Sequence, residues 1–511
     1  MKRRWALLSV LAASLVAADL SAEELTPAEK VDPFEAAFKQ LIQQVSESAK
    51  EKPASVAWVI DESGSMAGFR KRLAEAIQEL DEDSFEKNTS WTVAGFSEHL
   101  HLLTPRPLTS VAAVSREVSK VATDPSGKEN VFEAVTQTAQ QLKKLNAKDE
   151  RNGIIVVVTD ERGDDPQALE VAVSQCQRNG FRVFCLGHAA PFGTEKGFVR
   201  IQFEDGFVQE IPVDQGAETA MLAVVSVPSL GGTPIELSRL SSGFGPWALS
   251  RLCDATGGEY LIAQDEARTR FAADVMARYR PDYQPIQTIQ RDAKRNVARM
   301  AVLQAAMASG QNQKVDPALK FRAERANLLR GALTESQRPC AVNEYQCHQM
   351  LQLLEAGEKG REAMTDPRWQ ASYDLAMGQA QAALVRSFGL NVQMAQMKVA
   401  APKIDGPKFN TWELYAVKEQ QEPGPRESKL AKQARKFLDR VVKDHKGTPF
   451  AHVAEQELER GFGWKWRQIH VDYKTPPEEP KPKPLLLPDT KTGKPRPVRK
   501  PVIIPGRLSF P

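Results

Sequence analysis

Two short segments of this 511-residue chain carry side chains that can hold a hard cation. In Val56-Ala57-Trp58-Val59-Ile60-Asp61-Glu62-Ser63-Gly64-Ser65-Met66, an apolar run ends in a carboxylate, and hydroxyls follow at Ser63 and Ser65. In Ile154-Ile155-Val156-Val157-Val158-Thr159-Asp160, a second apolar run ends the same way. Taken as parallel strands, the two place Asp61 and Asp160 at one carboxyl edge, where open α/β sheets bind ligands. A divalent cation such as Mg²⁺, Mn²⁺ or Ca²⁺ takes oxygen ligands and, if small, keeps some of its waters. Two hydroxyls and two carboxylates with one open position meet that demand.

The surrounding pattern supplies the elements. From about 53 to 265, apolar strands alternate with helices. The strands are Ser55–Ile60, Trp91–Phe96, Ile154–Val158, Phe181–Leu186 and Tyr260–Ile262. The helices are Phe69–Leu80, Val131–Leu145, Ala168–Gln177 and Pro246–Thr256, the last stopped by Gly257-Gly258. This alternation predicts a doubly wound, mostly parallel sheet covered on both sides. An insertion at about 189–245 is too long for a simple loop. Within it, Phe198–Phe203 and Phe207–Val213 flank Glu204-Asp205-Gly206 as a hairpin near one sheet edge.

With Asp-x-Ser-x-Ser after a buried strand and Thr159-Asp160 ending a later one, residues 53–265 resemble the von Willebrand factor A family and its metal-ion-dependent adhesion site (MIDAS). The resemblance implies an α/β, Rossmann-like domain that binds a protein partner through a divalent metal. It further implies direct contact from Ser63 and Ser65, contact largely through water from Asp61 and Asp160, and a vacant position often filled by a partner's carboxylate.

One departure stands out: Glu129, in Ser126-Gly127-Lys128-Glu129-Asn130-Val131, falls where the family carries its metal-contacting Thr. Glu129 is open to two readings. It forms a capping box with Ser126 at the start of the following helix, or it coordinates the cation itself and disfavours an acidic ligand. Ser126 is a candidate substitute hydroxyl. Thr233, after Gly231-Gly232, mimics the missing motif but follows Asp160 in the chain, the wrong order. The whole chain is also similar to uncharacterised exported bacterial proteins with such a domain, through Ser242–Pro246, Tyr279–Tyr283 and Gly461–Trp466.

The remaining sequence frames this domain. Lys2, Arg3 and Arg4, the apolar run Trp5–Ala18 and the small residues Val16-Ala17-Ala18 read as an export signal at 1–18, with a second cleavage option after Ala22. Removing those cations takes 68 basic and 65 acidic residues to 65 of each, which argues against a nucleic-acid binder. No stable membrane span is expected after cleavage. Residues 23–52 form an amphipathic helix bearing Phe34, Phe38, Leu41 and Val45. Residues 266–410 are helical, with a core stripe of Trp369, Tyr373, Met377, Ala380, Leu384 and Phe388. Residues 411–472 read as a helical hairpin with a weak tetratricopeptide likeness. The segment 473–511, with 11 of the 33 prolines, reads as a basic, disordered tail.

Five cysteines leave the pairing open, Cys340–Cys347 and Cys176–Cys185 being the candidate bridges and at least one thiol staying free. His99 and His101 share a strand face without a third ligand, which favours a solvated face over a metal site. The expected function is metal-assisted protein binding outside the cytoplasm, without catalysis. One alternative is a scaffold with a degenerate metal site that binds through its helical half. Another is a phosphatase-like hydrolase using Asp61 and Gly163-Asp164-Asp165. That chemistry wants an acid two residues after the nucleophile, where Ser63 stands.

Overall fold

The computed structural model describes residues 32–473 apart from 82–84, 86–88, 148, 203–205, 229, 231–234, 266, 268, 313–315, 324 and 420–422, together with 486–488 and 495–497. The expected export signal and Thr233 lie outside the described residues, as does most of the proline-rich tail.

The first half runs α1 (Pro33–Glu51), β1 (Ala54–Asp61), α2 (Ala67–Gln78), β2 (Ser90–Phe96), β3 (Leu100–Leu102), α3 (Val111–Val118), α4 (Val131–Leu145) and β4 (Asn152–Thr159). It continues through α5 (Leu169–Asn179), β5 (Arg182–His188), the hairpin β6 (Lys196–Gln202) and β7 (Val208–Asp214), α6 (Trp247–Ala255) and β8 (Tyr260–Gln264). Six strands form one sheet in the order β3-β2-β1-β4-β5-β8, parallel except for β3. β1 leads on toward β2 and its neighbour β4 toward β5, so the connections leaving these two strands run in opposite directions across the sheet. The crevice of such a fold opens at that point.

Side-chain alternation explains why the central strands are apolar throughout. Val56, Trp58 and Ile60 of β1 and Ile154, Val156 and Val158 of β4 pack with α1, α2 and α3 on one face. Ala57 and Val59 of β1 and Ile155 and Val157 of β4 meet α4, α5 and α6 on the other. Phe34, Phe38, Leu41 and Val45 of α1 are buried in the first of these cores. α3 is an element the sequence pattern did not predict, while the strand face read at His99 and His101 becomes β3, which begins after His99 and joins the sheet as its antiparallel edge. The hairpin forms a separate two-stranded sheet.

The second half runs α7 (Ala273–Met276), α8 (Ile286–Ala293), α9 (Val297–Gln311), β9 (Lys320–Arg322), α10 (Ala326–Ala356), α11 (Glu358–Arg361) and α12 (Pro367–Ala400). β10 (Thr411–Val417), α13 (Pro425–Asp444), α14 (Pro449–Arg460) and β11 (Gly463–Ile469) follow. β9, β10 and β11 make an antiparallel sheet around the two helices of the expected hairpin, a sheet absent from the sequence reading. β12 (Leu486–Pro488) pairs antiparallel with β13 (Pro495–Pro497). Tyr373, Met377, Ala380 and Leu384 of the predicted stripe on α12 are buried in a core they share with α9 and α10.

The halves meet through polar and aromatic contacts. Phe192 packs edge-on against Phe450, with centroids 4.8 Å apart. The buried Arg368 guanidinium binds the Glu218 carboxylate and the Tyr279 carbonyl.

All five cysteines are free and buried, so neither candidate bridge forms. Cys340 and Cys347 lie seven positions apart on α10. That is a rise of about 10 Å, beyond the ~7 Å limit for joining two Cα positions by a disulfide. Among the described residues, no helix is long and apolar enough to cross a membrane.

Candidate functional site

β1 and β4 deliver Asp61 and Asp160 to the same carboxyl edge, side by side, because the strands pair parallel with Ile60 opposite Val158. The loop before α4 brings Glu129 to meet them. One carboxylate oxygen from each of Asp61, Glu129 and Asp160 lies within 4.8 Å of the other two. All three residues are buried.

The turn from β1 into α2 is built around Asp61. Its Oδ1 accepts the Ser63 amide at 2.6 Å, which folds the chain back and leaves the Ser63 and Ser65 hydroxyls 3.0 Å apart. Its Oδ2 accepts the Thr159 hydroxyl at 2.7 Å, tying the ends of the two strands together. Asp160 Oδ1 is buried with no hydrogen-bond partner. Burial, and then the nearby Asp160 charge, push the Asp61 carboxyl up to about 6.

Arg70 is a functional residue that the sequence reading missed. From the first turn of α2 its Nη1 donates to the carbonyls of Asp61 and Ser63 at 2.9 and 2.8 Å, while Nη2 donates to the Thr123 hydroxyl. A visible signal was its place on the helix face shared by Leu73, Ala74 and Ile77, where a charge has to find partners. Burial lowers the Arg70 pKa, opposed by the charges of Asp61, Glu62 and Asp160.

Glu129 does not form the capping box. α4 begins at Val131 with Asn130 as N-cap, and no side chain of its own segment caps it. The Asp165 carboxylate accepts the Phe132 and Glu133 amides instead, at 3.2 and 2.7 Å. Asp164 fixes Glu129 directly: its carboxylate accepts the Glu129 amide, and its amide donates to the Glu129 carbonyl. Gly163 permits this close approach. It has φ +84°, and a Cβ there would lie 2.2 Å from Val131 Cγ1. The Gly163-Asp164-Asp165 run weighed as a phosphatase element thus positions the loop that carries Glu129.

Ser126 stands apart. It is exposed, its hydroxyl accepts the Lys128 amide, and its own amide donates to Asp124. His99 lies just before β3, while His101 on β3 sits half-exposed with Nδ1 2.7 Å from Glu62 Oε2. Glu62 reaches it by packing over Gly95, where a Cβ would clash with the carboxylate.

Three clustered carboxylates, among them Asp160 with its buried and unpartnered Oδ1, and two adjacent hydroxyls make a donor set suited to a hard divalent cation. Arg70 donates to backbone carbonyls rather than to the carboxylates, and its single charge, which acts on Asp61 and Asp160, balances only part of the cluster.

Residues 55–206 match the von Willebrand factor type A domain. No curated protein matches the chain. Among solved structures, proximal thread matrix protein 1 from the mussel byssus is 19% identical with a TM-score of 0.22, over 28% of this chain and 36% of that one. The same protein with a zinc-occupied MIDAS motif gives 18% and 0.23. This chain therefore spans about a third of the length of that protein. An aerotolerance-related membrane protein from Bacteroides fragilis is 15% identical with a TM-score of 0.25, over 41% of this chain and 92% of that one.

Proposed function

We propose that the von Willebrand factor type A domain carried at residues 55–206 binds a protein partner through a divalent metal, in a chain exported from the cytoplasm and without catalysis. The observation that carries this reading is the convergence of the Asp61, Glu129 and Asp160 carboxylates beside the Ser63–Ser65 hydroxyl pair. Ser63, Ser65 and the three carboxylates would hold Mg²⁺, with Mn²⁺ or Ca²⁺ as substitutes. When bound, the metal supplies one open coordination position that a partner's oxygen can fill.

The chain's own groups do the rest. Thr159 and the Ser63 amide fix the Asp61 carboxylate, Arg70 locks the turn beneath it, and the Asp164 clasp sets Glu129. An Asp61-centred hydrolase is less well supported, because Ser63 replaces the acid that reaction needs and its hydroxyl faces Ser65.

Calorimetry with Mg²⁺ and Mn²⁺ tests the reading. Wild type binds and Asp61→Ala does not; equal binding by both removes this site from consideration. Affinity capture from the native envelope with and without chelator then tests metal dependence of the partner.

A further inference from the structure

The charge around the cluster decides which partner group the site accepts. Resting on the metal reading above, we propose that the open position takes a neutral oxygen, a peptide or side-chain amide carbonyl, borne on a basic segment of the partner, and that it rejects carboxylates. Two independent observations carry this.

The first is the cluster itself. Three carboxylates converge within 4.8 Å and a fourth, Glu62, is buried next to Asp61, so a bound dication together with the nearby Arg70 guanidinium still leaves the site net negative. Asp160 Oδ1 is buried without a hydrogen-bond partner, so no N–H or O–H of the protein offsets the charge at that oxygen. A partner's carboxylate would enter against that surplus in a poorly solvated place. A neutral carbonyl would not.

The second is the rim. Glu98, Asp124, Glu161 and Asp164 lie on segments bonded to residues of the site or to their chain neighbours, or next to them in sequence. Asp124 donates its amide to the Glu62 carbonyl, Asp164 clasps Glu129, Glu161 follows Asp160, and Asn130 beside Glu129 binds the Glu98 carbonyl. The cations of the same rim are already engaged. Lys128 pairs with Glu98 at 2.6 Å, and Arg162 pairs with Asp214 and Glu195 at 2.8 and 3.4 Å. The face therefore presents acidic charge to an approaching chain, which raises the encounter rate with basic segments and lowers it with acidic ones.

The full-length protein is first titrated with Mn²⁺. It is then titrated, Mn²⁺-loaded, with two peptides of equal length: one alternating asparagine and lysine, the other alternating aspartate and serine. The expected result is chelator-sensitive binding of the Asn-Lys peptide, with the Asp-Ser peptide weaker by roughly tenfold or more. Glu129→Thr narrows or reverses that preference, and the isosteric Glu129→Gln moves it the same way if the threonine variant folds poorly. The proposal is overturned if wild type takes the Asp-Ser peptide equally well in a chelator-sensitive manner, or if Asn-Lys binding survives chelation unchanged. Absence of Mn²⁺ binding in wild type removes the metal reading as well, so the two failures are told apart by the first titration.

Discussion

Asp164 clasps the backbone of Glu129 from both sides of the residue: its carboxylate accepts the Glu129 amide at 3.0 Å, and its amide donates to the Glu129 carbonyl at 2.8 Å. This pairing aims a residue from the loop before α4 at two strand ends it does not adjoin in sequence. Asp164→Ala is predicted to weaken Mn²⁺ binding by about 10- to 100-fold without unfolding the chain, as the loss of an outer orienting group does at metal sites. Calorimetry beside a thermal melt checks it. An unchanged affinity would show that Glu129 is placed by other means.

Arg70 is predicted to matter more for the fold than for charge balance. Its replacement by Leu leaves the Asp61 and Ser63 carbonyls without their side-chain donor in a buried turn, costing roughly 2–4 kcal/mol. Denaturant unfolding of Arg70→Leu against wild type measures the loss. A change under about 0.5 kcal/mol, the usual scale of a surface substitution, would contradict the assignment.

Stabilisation by the metal should depend on pH with a definite sign. The Asp61 carboxyl is raised to about 6 from 3.8 by burial and by Asp160. Without metal, the folded chain holds a proton there that the unfolded chain has already released between those values. That carboxyl's contribution to stability is therefore lost as pH rises from about 4 to about 6. A cation displaces the proton, so it competes poorly below pH 6 and freely above it. The Mg²⁺-induced rise in Tm is predicted to be larger at pH 7 than at pH 5. An equal or reversed effect would mean that Asp61 does not take part.

The thiols offer a check that is independent of the site. Burial pushes Cys176, Cys340 and Cys347 up to about 12 and raises Cys185 and Cys253 as well, and all five are free. A thiol reagent is predicted to find no fast-reacting group in the native protein and five after denaturation without reductant. Fewer than five on denaturation would reveal a bridge.

Much of this arrangement was legible in the chain because the central strands are apolar on both faces, as strands of a covered parallel sheet are, and run into Asp61 and Asp160 at their ends. The place of β3 was not: the strand read around His99 and His101 is only three residues long, Leu100–Leu102, too short to show that it pairs antiparallel at the sheet edge. The β9–β10–β11 sheet left a readable trace, since Trp412, Leu414 and Trp464 are buried at alternate positions, yet the helical pattern around them masked it. Glu129 shows where sequence reading stops. Ser126 and Glu129 have capping-box spacing, but the helix starts later than that box requires, and a carboxylate 35 residues away at Asp164 decides where Glu129 sits. Arg70 was overlooked because a cation near a helix start looks solvent-exposed until the buried face is traced.

The most direct measurement is an anomalous difference map from crystals of the full chain soaked in Mn²⁺. A peak between the carboxylates of Asp61, Glu129 and Asp160, in contact with the Ser63 and Ser65 hydroxyls, is the predicted result. A map with no peak there, at Mn²⁺ concentrations that saturate the protein in solution, would contradict the account.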